Sequence, residues 1–397
     1  MGVSPYTALL TMGFVVLLFN SGARFALSLM LHPMAADLGW SRTTLSSVVT
    51  VFMVLSALLL PAVGQLADRF GPRLVLAAGI VVSGVSLGLM GLINAPWQAV
   101  ALYGLLFSFG SAATSITPIG VMLTRSYPEK AGMANSIAIS GMGVGQLVIV
   151  SLLAAQLASL GWRGAYAMLG IAMIVCVLPL VVWVGRRMEQ SEVVAAPESD
   201  VAASRGSIWD VVRGGRFWLL AVMYAICGFQ DFLVATHVVA FALDEGVSPL
   251  LAGNMLAFMG LAGLAGVLLS GALNDRFGAR VPTGLCFAIR VVVFAAILQL
   301  KDPPVIVAVA LGYGFTFWIT APLTVVYSRA LTGLAMLGTL TGLITMIHHA
   351  AGGLGALVGA RIFDVTGNYD LAMTIMLVTS LVALVLTPGL PRTRAAR

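Results

Sequence analysis

From about residue 7 to residue 388 the chain is a succession of long apolar runs, each closed by a short cluster of Gly, Pro, Asp, Asn or Arg. Twelve runs separate at these clusters, roughly 7–36, 42–67, 73–94, 97–124, 130–158, 163–185, 216–243, 249–274, 281–300, 304–328, 334–363 and 369–388. Each is long enough for a helix to cross a bilayer, which takes about 20 residues. The strict alternation of half-buried strands is absent, and lipid demands that backbone groups be satisfied within the spanning segment. The pattern predicts an all-α membrane protein with twelve transmembrane helices. One extended polar stretch, carrying RRMEQSEVVAAPESDVAASRG, cuts the series into six and six. It predicts an N-terminal six-helix bundle at 1–186, a linker at 187–213 and a C-terminal six-helix bundle at 214–397.

Composition removes the soluble alternatives. The 397 residues are 60% hydrophobic and 9% charged, with mean hydropathy +1.03; a soluble domain carries about a quarter charged residues. The first charge is Arg24, deep in the first run, so MGVSPYTALLTMGF lacks the basic segment of a cleaved signal and is read as the start of a retained helix. Fifteen basic residues fall on one side of the spans: Arg69, Arg73, Arg125, Lys130, Arg186, Arg187, Arg205, Arg213, Arg216, Arg276, Arg280, Arg329, Arg392, Arg394 and Arg397. Four fall on the other: Arg42, Arg163, Lys301 and Arg361. The positive-inside rule then places both termini and the linker in the cytoplasm, in a multi-pass protein of the cell's inner (plasma) membrane. The same sidedness accounts for the pI near 9.5 without a nucleic-acid partner. Cys176, Cys227 and Cys286 lie inside apolar runs at no metal-ligand spacing and read as packing residues.

The chain repeats itself. GQLADRFGPR at 64–73 returns as GALNDRFGAR at 271–280, and GWS at 39–41 as GVS at 246–248, both at an offset of 207. In helices 4 and 10 the offset slips to 204, where Thr117-Pro118 and Arg125 match Ala321-Pro322 and Arg329. Gly64 and Gly271 allow close helix approach. Gly71 and Gly278 can supply the left-handed turn. Asp68 and Asp275 come near helix C-termini, where a carboxylate is unfavourable unless a cation or another helix's N-terminus answers it. A plain basic turn that sets topology would explain the arginines but not the aspartates and glycines.

Two sets of six helices, each with G-x-x-x-D-R-x-G-x-R after its second helix, resemble the major facilitator superfamily across essentially the whole chain. Gly64, Asp68, Arg69, Gly71 and Arg73 fill the motif once, and Gly271, Asp275, Arg276, Gly278 and Arg280 fill it again. HPMAADLGWSRTTLSSV (32–48), GWRGAY (161–166), THVVAFALDEGVS (236–248) and IFDVTGNYDLA (362–372) are similar to the bacterial monocarboxylate and oxalate/formate-type branch. The resemblance implies alternating access, a cytoplasmic latch built from the repeated motif, and a central cavity lined by helices 1, 4, 7 and 10. The monocarboxylate family places a substrate arginine in helix 8. Here FMGLAGLAGVLLSG has none, and Val267 stands at that position.

Polar stripes on those helices are the candidate substrate-binding residues. Helix 1 offers Asn20, Arg24 and Ser28; helix 4 Ser108, Ser111 and Ser115; helix 7 Gln230 and His237, with Asp231 on the flank. Helix 10 offers Tyr313, Thr316, Thr320, Thr324 and Tyr327, with Trp318 among them, and helix 11 Thr341, Thr345 and His348. Three charges lie within the membrane: Arg24, Asp231 and Arg290. The offset of 207 makes Arg24 and Asp231 symmetry mates, so Asp231 is expected to neutralise Arg24 until an anionic substrate competes for its fork. Arg290 sits in helix 9, peripheral in the family scheme, where Asp231 or a backbone carbonyl could answer it. His32, His237, His348 and His349 lie in or beside spans, and histidine titrates near physiological pH. Asp231 and His237 are the expected proton carriers.

These readings converge on a secondary active transporter for a small organic anion, a monocarboxylate by resemblance, coupled to protons. A proton-driven efflux pump for amphipathic compounds is the alternative, disfavoured because SGMGVGQLV at 140–148 lacks the GP…GG pattern of such antiporters. No nucleophile–base constellation lies outside the lipid, so an enzyme is not expected. Nor is a cofactor or metal, since no phosphate loop or HExxH spacing occurs. The expected partners are the substrate, protons and the bilayer, with the chain acting as a monomer.

Overall fold

The computed structural model describes residues 4–40, 42–190 and 207–393. Linker residues 191–206 with Arg205, the C-terminal Arg394 and Arg397, and the side chains of Ser28, His32 and Arg42 lie outside the described residues. Among the described residues, twelve helices are long and apolar enough to span a membrane. They are α1 Pro5–Leu38, α2 Arg42–Phe70, α3 Pro72–Met90, α4 Pro96–Ser126, α5 Ala131–Leu157, α6 Ser159–Met188, α7 Gly215–Asp244, α8 Pro249–Phe277, α9 Arg280–Gln299, α10 Pro303–Thr332, α11 Leu337–Thr366 and α12 Asp370–Gly389. The chain is multi-pass and all-α, and no strand occurs among the described residues. Large apolar side chains such as Leu58, Leu74, Val292 and Val385 stand exposed on helix faces. Only lipid makes such a surface stable.

Compact packing divides the described chain into two units that do not follow the midpoint of the sequence. The first takes residues up to Pro128, those from Ile137 to the end of α6, and Leu334–Gly342. The second takes Glu129–Ser136, residues from 207 to Gly333, and Leu343 onward. The first turns of α11 thus belong with the N-terminal helices, and the first turns of α5 with the C-terminal ones.

Two helices are broken at matching places. In α4 the α-helical segment Phe107–Ala113 ends at Thr114 and helix resumes at Ile116, capped by Ser115. In α10 the segment Pro303–Phe317 ends at Trp318 and helix resumes at Thr320. Thr114 and Trp318 stand four residues before Pro118 and Pro322, and a proline has no N–H for the carbonyl four residues back. Carbonyls near each break find side-chain donors instead. Asn20 donates to the Ser111 carbonyl at 2.9 Å. Tyr224 reaches the Thr320 carbonyl at 2.8 Å and Ser270 the Ile319 carbonyl at 2.7 Å. Broken helices of this kind are tolerated in lipid only where protein re-satisfies the backbone.

Candidate functional site

In the second unit a buried polar network joins α7, α9, α10 and α11. Arg290 on α9 is fully buried, and its Nη2 lies 2.7 Å from Asp231 Oδ1 on α7. Its Nε donates to Thr316 Oγ1 at 3.0 Å, and its Nη1 to Gln230 Oε1 at 3.1 Å. Tyr313 donates to the same Asp231 oxygen at 2.7 Å, and the Arg290 guanidinium lies over the Tyr313 ring. The other carboxylate oxygen, Oδ2, faces Cys227 Sγ at 3.4 Å and His348 Nε2 on α11 at 3.3 Å. Nη1 also reaches Cys227 Sγ at 3.6 Å and Nη2 the Thr316 carbonyl at 3.5 Å, so every donor of the planar guanidinium fork is placed, which a buried ion pair needs to offset desolvation.

Asp231 is thus answered by Arg290 of its own unit, one of the two partners the sequence leaves open for that arginine, and is not held in reserve for its symmetry mate Arg24. Symmetry equates depth along a helix but not the direction a long side chain takes, and an arginine on α9 reaches across to α7. Helix 9 is therefore not peripheral to the polar interior of its unit. The histidine beside Asp231 is His348. One turn and a half further along α7, His237 makes contacts of its own, Nε2 with the Ala356 carbonyl at 2.9 Å and Nδ1 with the Tyr369 hydroxyl at 3.2 Å. It lines an apolar cavity with Leu233, Phe241, Val293, Phe294 and Tyr313.

Other candidates are committed to packing. Gln230 donates to the Met376 carbonyl, Thr379 and Ser380 on α12 while accepting from Arg290. Four members of the α10 stripe make contacts within their own unit. Tyr313 and Thr316 hold the Asp231–Arg290 pair, Thr320 Oγ1 meets Cys227 Sγ at 3.2 Å, and Tyr327 bonds Thr283. Trp318 is half-buried at the break and packs edge-on against Phe317. In the first unit Asn20 is buried against Ser111 and Thr114. Tyr103 donates to the backbone carbonyl of Arg24 at 2.9 Å, fixing the chain at that point. The Arg24 side chain is half-buried, and no ion pair among the described residues includes it.

The repeated motif is built twice in the same way. Asp68 ends α2 and accepts from the first amides of α11, Gly338 N at 2.9 Å and Thr339 N at 2.8 Å, and from Thr339 Oγ1 at 2.9 Å. Arg125 pairs with it at 3.0 Å. Asp275 ends α8 and accepts from the first turn of α5, Gly132 N at 3.0 Å and Met133 N at 2.9 Å. Each carboxylate thus caps another helix's positive end, offsetting the unfavourable C-terminus it stands on. A β-carbon at Gly64 would fall on the Gly338 carbonyl oxygen, and one at Gly271 on Ser136 and Met133. Gly71 and Gly278 take φ 84° and 82°, the positive region that turns α2 into α3 and α8 into α9. Arg69 and Arg276 lie over the adjacent Phe70 and Phe277 rings, and Arg280 bonds the Leu390 carbonyl. Arg73 runs past Gly185.

Sequence reasoning missed two partners. Arg125, which the repeat matches with Arg329 without assigning it a partner, pairs with Asp68. Cys227 was read as packing, although it stands one turn before Asp231 on the same face of α7.

Twelve spans, paired broken helices and two helix-capping DRFG corners define a multi-pass transporter fold. The chain belongs to the Major Facilitator Superfamily, whose family model matches residues 13–356 and 220–396. An uncharacterized MFS-type transporter of Bacillus subtilis is 27% identical over 92% of this chain and 90% of its own length. The bovine monocarboxylate transporter 13 is 25% identical over 79% of this chain and 72% of its own. The oxalate:formate antiporter of Oxalobacter formigenes is 23% identical over 77% and 72%. Among solved structures, a proton:xylose symporter superposes with TM-score 0.71 at 15% identity, covering 99% of this chain and 97% of that one.

Proposed function

We propose that the chain moves a small organic anion of the monocarboxylate class by alternating access coupled to protons, with the DRFG corners at the cytoplasmic face as its latch. Arg24 carries this reading. An arginine within a membrane span is costly, and this one has no acidic partner among the described residues. A carboxylate is the natural complement of its fork. The bovine relative, a monocarboxylate transporter, supports the substrate class, and the Oxalobacter oxalate:formate antiporter supports a small carboxylate more broadly. Asp231, matched by Arg290, then serves as a fixed counter-ion inside its unit.

His237 is the proposed proton carrier. With Nε2–H donating to the Ala356 carbonyl, Nδ1 accepts from the Tyr369 hydroxyl, and a proton arriving at Nδ1 reverses only that one bond. Counterflow in proteoliposomes with a panel of monocarboxylates tests the whole reading. Saturable exchange is expected, lost in Arg24→Ala; exchange that survives Arg24→Ala removes the anchor. His237→Gln is expected to keep counterflow and lose uptake driven by a pH gradient. Expulsion of amphipathic dyes with no carboxylate exchange would move the assignment to an efflux pump.

A further inference from the structure

We propose that Cys227, Asp231 and His348 form a binding site for a single thiophilic metal cation of the zinc class. The three side chains come from two helices, Cys227 and Asp231 one turn apart on α7 and His348 on α11. Their ligand atoms all lie within 4.8 Å of one another. Tetrahedral zinc, with bonds of about 2.0–2.3 Å, sets its ligand atoms about 3.3–3.7 Å apart. Sγ to Oδ2 is 3.4 Å and Nε2 to Oδ2 is 3.3 Å, so two of the three edges already have that length.

The division of labour on Asp231 makes the site selective for a cation. Oδ1 is taken by Arg290 and Tyr313, which hold the carboxylate still. Oδ2 faces only the thiol and the imidazole, and it is this oxygen that a metal would share. The cation stands where the thiol hydrogen and the Nε2 hydrogen now point. Binding releases the Cys227 proton to solvent, and His348 carries its remaining proton on Nδ1 and gives the Nε2 lone pair. Arg290 and Asp231 already cancel, so the thiolate offsets one unit of a divalent charge. Water or an anion at the fourth position completes the shell. Thiolate, imidazole and carboxylate together suit zinc or cadmium and not magnesium or calcium, which bind oxygen. Cys227 and Asp231 are buried, while the half-buried His348 forms the accessible edge.

Cadmium is the probe, with purified full-length protein in detergent and no transport step. The expected result is one equivalent bound, an ultraviolet sulfur-to-cadmium charge-transfer band, and displacement by zinc but not by magnesium. Cys227→Ser should abolish the band, and His348→Gln should weaken binding by more than about 100-fold, since removing even an outer-shell partner costs 10–100-fold. Cys176→Ser, Cys286→Ser and His349→Gln should bind as the parent does. X-ray absorption on the zinc-loaded parent needs no variant and should show one sulfur at about 2.3 Å with nitrogen or oxygen neighbours at about 2.0–2.2 Å. A band that persists in Cys227→Ser, or a zinc shell without sulfur, overturns the site. Because binding is read without substrate, the result stands whether or not the chain transports a carboxylate.

Discussion

Replacing Arg290 with methionine should be among the most destabilising single changes in the second unit. Removing one partner of a buried ion pair leaves the other charge uncompensated, at a cost of about 3–5 kcal/mol. Asp231 would keep the Tyr313 hydroxyl and His348, but neither is a permanent cation. Gln230 Oε1 and Thr316 Oγ1 would each lose a donor, about 1–3 kcal/mol apiece if left unsatisfied, though Thr316 also donates to the Tyr313 carbonyl. The double variant Arg290→Met/Asp231→Asn removes the uncompensated charge and leaves mainly the Gln230 acceptor, so its cost should fall to about 1–3 kcal/mol. The two changes should therefore couple by about 2 kcal/mol or more. Melting of the four proteins of the cycle, followed in one detergent by loss of the monodisperse peak, reads the order directly. Parent, double variant and single variants should unfold in that order of rising instability. A double variant as unstable as the worse single would refute the reasoning, because the pair would then matter for shape and not for charge.

Further changes test the first corner and the loop before α10 in the second unit. Gly64→Val should force α2 away from the start of α11 and destabilise by about 1–3 kcal/mol, as overpacking does, while Gly71→Ala strains only the turn; equal melting of Gly64→Val and parent would sink the close-approach account. Asp68→Ala removes the cap on α11 and the partner of Arg125, a loss of about 1–2 kcal/mol by analogy with helix caps, and Asp68→Asn should recover part of it. Lys301 bridges Glu245 and Asp370, and the hydrogen bond it donates to Asp370, followed by the attraction of both carboxylates, raises its pKa. A raised folded value means that its stabilisation is complete below the ordinary lysine range and fades as pH rises through the folded value. Lys301→Gln should thus cost at most about 1 kcal/mol at neutral pH, with the gap from parent closing in strongly alkaline buffer; a gap that widens there would refute the sign.

The amino-acid sequence by itself determined the membrane class, the twelve spans, the duplication of a six-helix half and the family. These properties are local or statistical: a bilayer of fixed thickness demands apolar runs of fixed length, and a duplicated gene repeats its turns. It also pointed at Asp68 and Asp275, because a carboxylate at a helix C-terminus needs an explanation wherever it occurs. What the sequence could not decide was which residue answers which. Symmetry offers Arg24 as the partner of Asp231 and Arg290 is a second candidate; only the fold selects Arg290, 59 positions along the chain and two helices away. Within the helix 10 stripe, spacing alone could not tell that Tyr313 and Thr316 hold that pair. Periodicity gives the face of a helix, and only packing decides what the face meets. The same holds for Cys227, Asp231 and His348: the first two share a turn of α7, but 117 residues separate Asp231 from His348 on α11, and only the tertiary fold brings a thiol, a carboxylate and an imidazole to one point.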